Sequence, residues 1–193
     1  MPRLLAILLC CALPAQAATQ FWVAGESDKV RPFAEMPPSP RTRIDLAAAG
    51  GECIGAQVVV RSDAALRDLM ADAKPLRSDT SAGVPLDLFR VATINLEHPT
   101  GPDGSAGEWP DALIPVRDFS WGEQRRAFPV ALPANRAQAI FVEACPARGV
   151  RGTYRGAVEL RWKAPTGAGH ATIPVSLRMR AFDLPATATL PTA

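Results

Sequence analysis

Histidine is scarce: His98 and His170 are the two imidazoles in 193 residues. The motifs that put histidine to chemical use are missing with it. No Gly-x-Ser-x-Gly elbow, no His-Glu-x-x-His helix and no Cys-x-x-Cys pair occurs. Hydrolase triads and zinc sites therefore have no support, and no metal or other cofactor is expected. Gly50-Gly51-Glu52-Cys53-Ile54-Gly55 superficially resembles a phosphate-cradling loop, but it runs into a strand where such a loop requires a helix. A tight turn accounts for those glycines. An excess of one charge is lacking as well, since the formal net charge is +2 with both signs interspersed. Without a basic stripe or an amphipathic helix, nucleic acids and membrane surfaces drop out as partners.

Long apolar runs are limited to one, Leu4 to Leu13. It follows Arg3 and precedes Ala15-Gln16-Ala17, the order of a secretory signal peptide with a small-x-small cleavage site. About ten apolar residues cannot cross a bilayer, which needs roughly 20. Cys10 and Cys11 raise a lipid-anchor reading, but Leu8 and Leu9 stand where lipidation wants small residues. Residues 1–17 are thus expected to be removed on export to the periplasm or beyond the cell, leaving no membrane segment. Cys53 and Cys145 remain in the mature chain, both in strand-like segments. An oxidising compartment permits a bridge between them, and two separate buried thiols are the alternative.

Helices have little room among 19 prolines and 14 glycines. Segments of strand length recur between these breakers: Phe21–Ala24, Arg43–Leu46, Cys53–Arg61, Leu86–Leu96, Ala112–Phe119, Arg125–Leu132, Ala137–Ala144, Thr153–Lys163 and Thr172–Phe182. The last is the clearest. Ile173, Val175, Leu177, Met179 and Ala181 alternate with polar residues, the period of a strand with one buried face. The expectation is an all-β fold, a β-sandwich of about nine mostly antiparallel strands over residues 18–184. Asp63–Ala73 is the one helix-compatible window, with Leu66, Leu69 and Met70 at i, i+3, i+4, and it reads equally as a strand. Residues 185–193, rich in Pro, Ala and Thr, read as a linker toward a C-terminal domain that lies outside this chain.

Candidate chemistry concentrates in His98–Asp111, which reads as one long irregular loop, and such loops are commonly functional. Glu108 and Asp111 lie three apart, and Asp118 and Glu123 flank Trp121. Glycoside cleavage needs two carboxylates held about 5 to 9.5 Å apart across a sugar, whereas loop acids ordinarily face water, so no catalytic residue is assigned. Asp103, Glu108 and Asp111 fit no calcium-loop spacing. Trp109 and Trp121 are better candidates, with His98, Glu108 and Asp111 beside them. An indole face stacks on sugar C–H groups while a neighbouring acid bonds hydroxyls. The competing reading has both tryptophans capping the sandwich or packing against another domain. Trp22 and Trp162 fit strand patterns and read as core, and Gln57 and Asn95 as partners for backbone.

Four segments in order resemble a known family: Gly51-Glu52-Cys53-Ile54-Gly55-Ala56-Gln57-Val58-Val59-Val60, Trp109-Pro110-Asp111-Ala112-Leu113-Ile114-Pro115, Gly152-Thr153-Tyr154-Arg155-Gly156 and Phe182-Asp183-Leu184-Pro185-Ala186-Thr187. Together they are similar to the N-terminal region of the family 123 glycoside hydrolases, and of bacterial relatives that carry domain of unknown function 4091. The resemblance spans Phe21 to Ala193. It implies a signal peptide, a β-sandwich, and then a (β/α)-barrel whose Asp-Glu pair cleaves an N-acetylated hexosamine. This chain stops where that barrel would begin, so no catalytic residue carries over. The implied role is an exported, non-catalytic accessory module that docks on the barrel and extends its sugar site. The alternatives are an independent carbohydrate- or protein-binding sandwich of the periplasm or cell surface, and a small hydrolase in its own right.

Overall fold

The computed structural model describes residues 18–78, 83–99, 101 and 104–187. Residues 1–17, expected to be a signal peptide, Asp103, and residues 188–193 of the expected linker lie outside the described residues. Among the described residues there are ten strands: β1 (Thr19–Gly25), β2 (Ile44–Gly50), β3 (Ile54–Ser62), β4 (Leu66–Ala73), β5 (Asp87–Leu96), β6 (Gly107–Pro115), β7 (Val130–Leu132), β8 (Ala137–Ala144), β9 (Thr153–Ala164) and β10 (Gly167–Asp183). They form two five-stranded sheets, in the orders β1-β3-β8-β5-β6 and β2-β10-β9-β4-β7. All pairings are antiparallel except β10 with β2. The fold is an all-β sandwich, with ten strands where the sequence predicts nine.

The added strand is β4, and its residues show why the pattern looked helical. The register shifts between Arg67 and Met70, and Asp68 takes a φ of 53°. A bulge adds one residue and reverses the inside–outside parity. Leu66 and Leu69 therefore share the inner face, both fully buried, although three apart. Lys163 Nζ meets the bulged Asp68 at 2.8 Å.

Two layers of apolar side chains are buried. Between the sheets lie Val58, Val60, Ile140, Val142, Ile44, Leu177, Tyr154 and Leu160. On the outer face of the first sheet lie Trp22, Val59, Phe89, Val91, Ala139 and Phe141, covered by Val30, Ala34 and Met36 of the β1–β2 connection. This double burial explains the unbroken Val58-Val59-Val60 run, since both faces of β3 are dry. Gly55 is where Phe141 crosses the sheet: a Cβ there would stand 2.5 Å from the ring. Gln57, buried on this face, donates to the carbonyls of Gly25 and Asp28, both at 2.8 Å.

Two expected boundaries shift. Ala112–Phe119 is not a strand of its own; its first residues belong to β6, which starts at Gly107. The long loop is accordingly shorter than His98–Asp111, and Trp109, Pro110 and Asp111 lie on a strand. Pro110 is tolerated because β6 is an edge strand and the ladder with β5 slips there, between Val91 and Thr93. The alternation along β10 holds through Met179 and fails at Ala181, which is exposed where the register with β2 breaks.

Candidate functional site

β6 separates the two tryptophans that the sequence singles out. Trp109 is its third residue, and Trp121 follows six residues after its last, Pro115. Six strand steps, about 20 Å, divide Trp109 from Pro115, so the structure does not bring the pair together.

At the first end, Trp109 lies opposite Ile94 and Glu108 opposite Asn95. Arg31 reaches across from the β1–β2 connection, its guanidinium carbon 4.5 Å from the Trp109 ring centroid. Its Nε donates to the Glu108 carbonyl at 3.1 Å and its Nη1 to Ser105 Oγ at 2.9 Å. The indole Nε1 donates to the Ser105 carbonyl at 2.7 Å. Both oxygens of Glu108 accept from Arg136 Nη2, at 2.7 and 2.8 Å, and Arg136 in turn covers Phe33. The hydrogen bond from Arg136 holds the Glu108 carboxyl below its usual range. An acid kept ionised in this way is a poor proton donor. Trp109 is half-buried, with one face and its N–H already engaged; His98 and Asp111 are exposed.

The opposite end carries the disulfide. Cys53 and Cys145 are bridged, just outside the antiparallel pair Ile54–Ala144. Glu143 lies beside the bridge, but sulfurs spent in a disulfide are not thiolate ligands, so this trio is no metal centre. Asp87 faces Glu143 across β5 and β8. Burial raises the Asp87 carboxyl; burial, then the charges of Asp87 and Glu26, raise that of Glu143.

Beyond Pro115 the chain folds into a small hairpin, residues 116–125, closed by Arg125 N–H to the Val116 carbonyl at 3.0 Å and Asp118 N–H to the Glu123 carbonyl at 2.8 Å. Asp118 organises the tip. Its Oδ1 accepts from the amides of Ser120 and Trp121 at 3.0 and 2.8 Å, and its Oδ2 from Arg125 at 3.0 Å. These bonds, the Trp121 amide foremost, hold the Asp118 carboxyl below its usual range. Gly122 makes the turn possible with a φ of 69°. The tip presents Trp121, 82% exposed, and Phe119, 68% exposed, whose ring leans on Phe89 at 5.8 Å between centroids.

The chain also leaves the second sheet at this end. Asp183 is gripped by Arg151 at 2.6 and 2.8 Å and by the Gly149 amide, and its carboxyl falls to about 2, chiefly through Arg151. Leu184 N–H bonds the Gly50 carbonyl at 2.8 Å, and Arg148 holds the carbonyls of Leu184 and Pro185. Among the described residues eight large apolar side chains are exposed. Five of them, Val116, Phe119, Trp121, Phe182 and Leu184, belong to this one end. Of these, sequence reading found Trp121 alone. Asp118-Phe119-Ser120-Trp121-Gly122 has the Asp and Gly of a turn around two aromatics, a signal hidden by assigning Phe119 to a strand.

The solved structures similar to this one include a family 123 glycoside hydrolase from Clostridium perfringens, described in connection with glycolipid glycan hydrolysis. The match has a TM-score of 0.63 at 11% identity and covers 87% of this chain but 28% of that one. The chain thus spans little more than a quarter of the hydrolase, and at this identity the likeness concerns the fold. A PapD-like domain of human CEP192 (TM-score 0.41, 8% identity, 93% of this chain and 96% of that one) is more distant. So is AggA, the major fimbrial subunit of Escherichia coli (0.39, 8%, 85% and 95%). No protein-family model and no curated protein matches the sequence.

Proposed function

We propose that this chain is a non-catalytic accessory β-sandwich of an exported glycoside-hydrolase-like protein, and that its disulfide end docks on a (β/α)-barrel domain. The observation that carries this reading is that five of the exposed apolar side chains, Val116, Phe119, Trp121, Phe182 and Leu184, lie at the end of the sandwich where β10 ends. Exposed apolar surface concentrated at one end of a domain points to an interaction face. Here the face is rigid: Asp118 fixes the hairpin, and Arg148 and Arg151 fix the departing strand. Preorganised aromatics of this kind lose little freedom on docking. The match of this sandwich to a part of a family 123 glycoside hydrolase supports the same assignment.

The test joins the chain to whatever its reading frame or the adjacent gene encodes past Ala193. A barrel is expected there, and amides of residues 116–125 and 182–184 should exchange at least tenfold more slowly in the joined protein than in the chain alone. An unrelated downstream sequence, or unchanged exchange at those amides, overturns the reading.

A further inference from the structure

A cleft of about 670 Å³ opens between the second half of β4, the start of β5 and the 116–125 hairpin. Its size falls within the roughly 300–1,000 Å³ of small-molecule sites. It exists because β7 pairs with β4 at Leu66 and Leu69 and goes no further, leaving Met70 to Ala73 with an uncovered edge. Phe119, steadied by Phe89, lines it together with Met70, Asp72, Asp87, Arg117 and Arg161; Asp118, also in the lining, is already paired with Arg125. Asp72, Asp87, Arg117 and Arg161 form no ion pair among the described residues. Two carboxylates and two guanidiniums thus stand with hydrogen-bonding capacity to spare, and their charges cancel.

We propose that this cleft binds a neutral oligosaccharide. Planar acids and guanidiniums reach pairs of adjacent hydroxyls, one accepting and the other donating. An aromatic wall supplies the surface on which sugar C–H groups stack. Balanced charge gives no advantage to an anionic ligand. An added peptide strand is a poorer fit, because the Ala73 amide on the uncovered strand is already taken by Asp72 Oδ1 at 2.9 Å. The cleft lies wholly within this chain but shares Phe119 and the 116–125 hairpin with the proposed docking face, so it is tested on the chain alone, where that face is free.

Isothermal titration of the purified chain tests it, with hexamers of glucose, mannose, xylose and N-acetylglucosamine as neutral probes. Hexagalacturonate is the charged control and a Thr/Val-rich decapeptide the peptide control. At least one neutral hexamer should bind, and Phe119→Ala and Arg161→Ala should each weaken it about tenfold. Asp72→Asn is a second variant in the same lining, and Trp109→Ala, at the far end, should leave binding unchanged. All three cleft side chains are exposed, so urea midpoints should match the parent's and separate lost binding from lost folding. No binding by any neutral hexamer, undiminished binding by the Phe119 and Arg161 variants, or preference for the uronate or the peptide overturns the proposal.

Discussion

Glu143 faces Asp87 across two paired strands, and folding brings Glu26 close as well. Burial and these like charges raise its folded pKa above the unfolded value, so the fold prefers the protonated form. That preference contributes stability at low pH and is lost as pH rises through the folded pKa. Glu143→Gln should therefore raise the urea midpoint at pH 7, with the gain fading below about pH 4, near the ordinary range of the carboxyl. Trp109 is the second residue whose environment makes a forecast. Trp109→Ala removes the Arg31 stack and part of a buried surface, a loss of about 1 to 2 kcal/mol in urea unfolding. A core plug would cost about 3 to 5 kcal/mol. Trp121→Ala, at an exposed tip, should stay within about 0.5 kcal/mol of the parent.

Elements depend on where their ends are fastened. The bridge between Cys53 and Cys145 ties the start of β3 to the end of β8 across 92 residues. Closing a loop of that length stabilises the fold by about 4.6 kcal/mol in the chain-entropy model. Reduction, or Cys53→Ser with Cys145→Ser, should lower unfolding stability by that order, measured with and without dithiothreitol. β10 is fastened by Asp183, whose carboxyl lies at about 2 against an ordinary 3.8. A depressed carboxyl contributes stability above its unfolded pKa and loses it as pH falls through the folded value. Between pH 4 and pH 2 the parent should lose the advantage it holds over Asp183→Asn. Thermal midpoints that run parallel through this window would show that Asp183 contributes nothing to the fold.

At the scale of the whole molecule the two ends of the sandwich differ in kind. One is closed on itself, its tryptophan, glutamate and arginines already paired; the other carries exposed aromatics, the departing strand and an open cleft. The acids next to the two tryptophans, Glu108 beside Trp109 and Asp118 below Trp121, have their carboxyls lowered by hydrogen bonds from Arg136 and from the Trp121 amide. The isolated chain should accordingly release no aryl alcohol from aryl N-acetylhexosaminides. Turnover that vanishes in Glu108→Gln or Asp111→Asn would contradict the accessory reading.

Strand content was legible in the residues because alternation and breaker spacing are local: Ile173 to Met179 declare a one-sided strand, and prolines and glycines mark most of its neighbours. The all-β class follows from that much. Pairing order, and with it the separation of Trp109 from Trp121, was not legible, since hydrogen bonds between strands join residues distant in sequence. β4 was ambiguous for a related reason, because a bulge resets parity and only the partner strand reveals it. The bridge was open on sequence grounds, as nothing local measures the distance between Cys53 and Cys145. The exposed apolar residues needed tertiary structure most of all: Phe119, Trp121, Phe182 and Leu184 come to share one end only because both sheets end on the same side, and burial is a property of the folded surface.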